Sequence, residues 1–261
     1  MNQQKPIDVR RVILQQLETD RQLGLRALPL IRRSRATQRS DDVTVGSPKR
    51  EWPADALDGE SAQRALEALD QSHVRGCRKC GLCESRSNTV FGVGDAQAQL
   101  VFVGEAPGFE EDRQAIPFVG RAGQLLTRMI LAMGLRREDV YICNVLKCRP
   151  PNNRDPAADE IAACSPYLFE QLSIIKPEVI VALGAPAART LLNSTDSIGR
   201  LRGTFHEFAP PGTPFAHHPI PVMATYHPAY LLRQPGEKSK AWADLQLVMR
   251  RLGLSSPPPS Q

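Results

Sequence analysis

Residues 100–126 read LVFVGEAPGFEEDRQAIPFVGRAGQLL. The stretch opens on an apolar run, Leu100 to Val103, short enough for a strand buried on both faces. It breaks at Gly104-Glu105-Ala106-Pro107-Gly108, small and turn-prone residues that suit a loop. A charged segment runs from Phe109 to Arg113, and Phe118-Val119-Gly120 then leads into a helical pattern beginning at Ala122. The same alternation recurs downstream, with apolar strand candidates at 140–148, 178–184 and 222–228. Strands alternating with helices predict a three-layer α/β/α fold around a central, mostly parallel four-stranded sheet. In open sheets of this kind ligands sit beyond the carboxyl ends of the strands. The Gly/Pro loop after Val103, with its acids and Phe118, is therefore the expected place for a small flat ligand.

The remaining punctuation fits that plan. A helix is expected from Ser61, with Ala62, Leu66 and Leu69 on one face. The helix over 124–133 should stop at Gly134, and RPPNNRDP (149–156) reads as a loop because its prolines lack a donor and its asparagines favour turns. AADEIAACSPYLFEQLSII (157–175) reads as a helix bent or interrupted near Pro166. APAARTLLN (185–193) carries Pro186 in its first turn, and KSKAWADLQLVMRRLGL (238–254) forms the last helix. Upstream, residues 1–33 can form a helix decorated by Arg10, Arg11, Arg21 and Arg26, and residues 34–60 have linker composition. The expected organisation is an N-terminal helix and linker over 1–60, one domain over 61–252, and a Ser/Pro tail over 253–261 without order.

Composition bounds the function. The chain of 261 residues has a formal net charge of +5 and a pI of about 9.0, a basic bias that permits nucleic acid without requiring it. No run of about 18 apolar residues is present, which argues against a membrane span. Charges interrupt the apolar positions of the first 22 residues, so they lack a signal-peptide core. A cytoplasmic location is expected. There, six cysteines point to metal or free thiols rather than disulfides. Cys77 and Cys80 form a C-x2-C pair, and Cys148 and Cys164 are a second, distant pair. Four such thiolates suit zinc or an iron–sulfur cluster, and spacing alone leaves that choice open. Cys83 is near enough to compete as a ligand, whereas Cys143, inside an apolar strand, reads as a buried thiol.

Four motifs in order, GEAPGFEED, PFVGRAGQLL, NVLKCRPPNNRDP and HPAYLLR, resemble the family 4 uracil-DNA glycosylases, the iron–sulfur branch of their superfamily, over roughly residues 70–252. The resemblance implies a DNA repair enzyme that flips uracil out of DNA and hydrolyses its N-glycosidic bond, acting as a monomer on uracil-containing DNA. It implies a structural 4Fe-4S cluster on Cys77, Cys80, Cys148 and Cys164; Cys83 has no counterpart in the family. Phe118 matches the aromatic that stacks on uracil, Asn144 the amide that reads the base edge, and His227 the donor to uracil O2. In another branch an aspartate positions the attacking water where Ala106 stands here. That leaves Glu105 as first choice for organising the site or the water, and Glu111 as second or as a guard against thymine. Gly108 stands where that branch has a blocking tyrosine, and Ala106 lines the base site with Glu111, Phe118 and Asn144.

Leu231 lies where a wedge residue could enter the gap left by the flipped base. Arg121, Lys147, Arg149, Arg154 and Arg233 are candidate phosphate contacts. Two alternatives lack turnover: a covalent uracil-DNA trap, whose branch carries a histidine in an inserted basic loop that NNRDP here does not contain, and an iron–sulfur recruitment module. The glycosylase reading requires Glu105, Phe118, Asn144 and His227 to line one cavity.

Overall fold

The computed structural model describes residues 57–210 and 213–255. The expected N-terminal helix, most of the linker and most of the Ser/Pro tail lie outside the described residues. In chain order the elements are α1 (Gly59–Leu69), β1 (Val93–Gly94), β2 (Leu100–Gly104), α2 (Phe109–Gln114), α3 (Arg121–Ala132) and β3 (Tyr141–Asn144). They continue with α4 (Ala158–Ile175), β4 (Val179–Leu183), α5 (Ala185–Leu192), α6 (Ile198–Leu201), β5 (Phe205–Phe208), β6 (Ile220–Thr225), α7 (Pro228–Arg233) and α8 (Lys238–Arg251).

The sheet has six strands in the order β1-β3-β2-β4-β6-β5. Its four central strands, the ones the apolar runs mark, are mutually parallel. The two additional strands are antiparallel edges, β1 on β3 and β5 on β6. Neither edge strand carries a run of large apolar residues, because an edge is not sandwiched as the centre is. The central strands are buried throughout. Alternate residues serve opposite layers: Val101 and Val103 pack with α1, α4 and α5, while Leu100 and Phe102 pack with α3 and α8. The expected three layers are present, with a wider sheet.

Pro166 does not interrupt α4, which runs unbroken from Ala158 to Ile175. Both Pro166 and Ala162, whose carbonyl loses its intrahelical donor, are exposed. Water can satisfy that carbonyl, so the proline is tolerated. The segment from Phe109 is a short helix, α2, rather than open loop.

Register decides where the loops meet. Gly104 lies beside Asn144, and Leu183 beside Thr225, so the central strands end at one level. The segments that follow, Glu105–Gly108, Gly184 and Tyr226–His227, therefore converge over one edge of the sheet.

Candidate active site

A cavity of about 440 Å³ opens at that edge. Its walls include Glu105, Ala106, Glu111, Phe118, Asn144 and His227, contributed by four separate parts of the chain. The required convergence is present.

Asn144 ends β3 and is 1% exposed. Its Oδ1 is buried without a hydrogen-bond partner. An orphaned buried acceptor costs about 1–3 kcal/mol, and such a cost is characteristic of an atom that waits for a ligand donor. Gly104, its neighbour on β2, makes room for it. A Cβ at Gly104 would lie 2.3 Å from Asn144 Oδ1 and 2.6 Å from Phe118 Cζ. The absent side chain thus lets the amide and the ring approach each other across the strand end.

Phe118 adopts φ 53°, a left-handed conformation uncommon for a bulky residue. Such strain costs on the order of 1–3 kcal/mol and persists only where the surroundings over-determine it. Two groups do so here. Glu111 Oε1 accepts the N–H groups of Val119 and Gly120, each at 3.0 Å. Arg137 donates to the Pro117 carbonyl and, at 3.3 Å, to Thr127 Oγ1. Glu111 therefore braces the turn that leads into α3 and aims the Phe118 ring.

His227 precedes α7 and caps it: the N–H of Ala229 donates to Nδ1 at 3.1 Å. With Nδ1 accepting, the neutral ring carries its proton on Nε2. Burial lowers its pKa to about 4, the Arg233 charge acting in the same direction and Glu111 against it. At neutral pH the imidazole is a neutral donor. Its ring centroid is 5.6 Å from that of Phe118, so an aromatic face and an N–H donor border the same space.

Burial raises the Glu105 carboxyl, and the nearby Asp155 carboxylate raises it further. The two acids share the cavity wall. A carboxylate with a raised pKa is a stronger base once ionised, which suits proton abstraction from water.

Cys77, Cys80, Cys148 and Cys164 line a second, smaller hollow. Its sulfurs attract donors: Arg86 Nη1 at 3.1 Å from Cys148 Sγ, the Lys147 N–H at 3.2 Å from Cys164 Sγ, and the Tyr167 hydroxyl at 3.3 Å from Cys77 Sγ. Burial pushes the Cys148 thiol up to about 11 against the pull of Arg86, and it raises Cys164 as well. Among the described residues no three His, Cys, Asp or Glu side chains meet closely enough to hold one metal ion. Four thiols round one hollow, with N–H and O–H groups directed at three of their sulfurs, are a donor set that suits zinc or an iron–sulfur cluster. Cys83 lines a different cleft, beside α1, and Cys143 is buried in the core as expected.

Two sequence expectations fail on burial. Lys147 is 1% exposed and cannot meet a phosphate. Its ammonium donates to the Asn144 carbonyl at 2.8 Å and to Gln171 Oε1 at 2.6 Å, beneath the cavity floor. Leu231 is also 1% exposed and packs into the core on the α3 and α8 side, so it is no wedge. α7 begins at Pro228, and its turn carries Leu231 inward. Arg233 lines the cavity and is exposed; Arg121 is exposed but outside the lining. Arg149 is half-buried, and Arg154 is paired with Glu160. Sequence reasoning missed Asn153, Asp155 and Tyr230 as cavity residues. Their polar types in a Pro-rich loop and after HPA were the available signal.

Comparison with known proteins identifies the family. Residues 91–246 match the family model of the uracil DNA glycosylase superfamily. The chain is similar to the type-4 uracil-DNA glycosylase of Archaeoglobus fulgidus, 45% identical over 74% of this chain and 97% of that protein. It is 48% identical to the type-4 enzyme of Thermotoga maritima, over 64% of this chain and 84% of that one. The type-5 enzyme of Pyrobaculum aerophilum is more distant, 33% identical over 53% of this chain and 64% of its own length.

Proposed function

The chain belongs to the uracil DNA glycosylase superfamily, and from that premise we propose that the cavity at the strand ends is where it hydrolyses the bond between uracil and deoxyribose in DNA. The protein is a DNA repair glycosylase, a hydrolase acting on uracil-containing DNA. Extruding the base costs a few kcal/mol, which contacts inside the cavity must offset. The Phe118 ring stacks on the uracil face, worth about 1–3 kcal/mol. Asn144 Oδ1 accepts from uracil N3–H while its amide N–H donates to O4. Cytosine presents the reverse pattern at both positions, and a site built for hydrogen bonds rejects it strongly.

As the glycosidic bond breaks, negative charge gathers on uracil O2. The His227 Nε2–H stabilises that charge without an imidazolium, and its donor is already fixed by the Ala229 contact. Glu105 takes the proton of the attacking water. Glu111 holds the Phe118 turn, a role its bonds to Val119 and Gly120 support better than direct water activation.

Cys77, Cys80, Cys148 and Cys164 would hold a 4Fe-4S cluster. When bound, it supplies a structural cross-link between the 77–80 segment and the loop that follows β3. Among the described residues no helix is long and apolar enough to cross a membrane. The same reading has the protein act as a monomer in the cytoplasm, where reduced cysteines persist.

The observation that carries the proposal is the partnerless Asn144 Oδ1 in the wall of a cavity it shares with Phe118 and His227. The test is incubation with an oligonucleotide bearing one uracil. Wild type is expected to release free uracil and leave an alkali-labile site, and Asn144→Ala to lose roughly 10²–10³-fold in kcat with its thermal transition retained. A near-normal rate in that variant would show that the base is read elsewhere.

A further inference from the structure

With Leu231 buried, the rim of the cavity needs another group to meet the DNA beside the extruded nucleotide. Phe109 follows Gly108, which lines the cavity, and is 53% exposed. Phe109 thus presents a large aromatic side chain to solvent next in the chain to the cavity wall. The Arg149 guanidinium lies 5.2 Å from the Phe109 ring centroid. Arg149 is itself anchored, its Nε donating to Asn153 Oδ1 at 2.8 Å, and Asn153 belongs to the cavity wall. No carboxylate pairs with Arg149 among the described residues, so the outer edge of the guanidinium keeps free donors.

We infer that Phe109, steadied by Arg149, is a stacking platform for the nucleobase adjoining the extruded uracil in single-stranded DNA; the inference rests on the glycosylase reading of the cavity. Every base has a π face, so a platform of this kind accepts any neighbour. The guanidinium on the ring adds a cation for the adjoining phosphate. A protein partner would favour a broader apolar face, whereas this aromatic stands beside arginines: Arg149, and Arg233 exposed on the cavity wall.

The test uses the full-length protein and a single-stranded oligonucleotide with 2-aminopurine next to a 2′-fluoro-deoxyuridine, which resists hydrolysis. Binding to wild type quenches the 2-aminopurine by stacking. Phe109→Ala is expected to raise Kd about ten-fold or more and to abolish the additional quench. Phe109→Tyr keeps both. On the cleavable uracil oligonucleotide, Phe109→Ala raises KM while kcat stays within about two-fold, because the platform contributes equally to ground and transition states. Unchanged Kd and quench in Phe109→Ala would overturn the inference, as would a loss of kcat with KM unchanged. Should wild type release no uracil at all, the glycosylase reading falls by itself, and the quench assay still decides for or against the platform.

Discussion

Glu105 and His227 face the same cavity with pKa values displaced for the same first reason, burial, yet with opposite consequences. Each is pushed toward its neutral form. For Glu105 that means a carboxylate that holds a proton to higher pH than an exposed one. If Glu105 is the base, kcat rises with pH through a value above 4.5 and then levels. Glu105→Gln should remove that limb from the pH–rate profile, and a limb that survives the change belongs to another group. For His227 the folded pKa of about 4 lies below the unfolded value of about 6.5. Between them the unfolded chain binds a proton that the folded chain refuses, so stability rises with pH over that window. The loss on acidification reaches roughly 3 kcal/mol below pH 4. In denaturant titrations, the gain in unfolding free energy from pH 4 to pH 7 should be larger for wild type than for His227→Ala by about that amount. The residue types of this site were legible in the motifs. Their exposure was not, since Lys147 and Leu231 sit within the same motifs as Asn144 and His227 and are buried.

At the scale of elements, the site depends on how closely β2 and β3 can present their ends. Gly104 and Asn144 are register partners, and the hydrogen in place of a Cβ on Gly104 is what admits both the amide and the Phe118 ring. Gly104→Ala forces one of them to move. It is expected to destabilise the fold by about 1–3 kcal/mol and to cost more activity than that stability loss explains, because the displaced groups are the ones proposed to hold the base. Thermal melts and saturating kinetics on the uracil oligonucleotide check this together; full activity would mean the strand ends relax freely. The end of β6 is held by a buried polar cluster. Asp244 on α8 is 0% exposed, takes two bonds from Arg202, and accepts from the Thr225 hydroxyl at the end of β6. That cluster fixes the strand end from which His227 departs. Strong apolar runs made the central strands readable. The edge strands, and the tolerance of α4 for Pro166, depended on exposure, which periodicity does not report.

On the scale of the whole molecule, the thiol hollow and the base cavity are joined through Lys147. Its N–H reaches Cys164 Sγ, and its ammonium reaches the Asn144 carbonyl. The segment after the cysteines is tied in from the other side, where Ser87 N–H donates to buried Asp112 beside Glu111. Purified protein is therefore expected to be brown, with broad visible absorbance. Oxidative loss of that colour should lower Tm and open the 77–88 segment to protease before it alters the core. A colourless preparation with one zinc per chain would overturn the cluster assignment.

The order of apolar runs and Gly/Pro breaks determined, without coordinates, a layered α/β fold with parallel central strands, because burial on both faces leaves a continuous apolar record in the chain. The motifs likewise carried the residue types of the cavity wall, because an amide, an aromatic ring and an imidazole are read directly from the chain. Only the tertiary structure decided which side chains point into the cavity and which into the core. Direction depends on strand register, on where a helix turn begins, and on the left-handed turn at Phe118 that Glu111 and Arg137 hold from a distance. Those are contacts between segments far apart along the chain, and no local pattern encodes them.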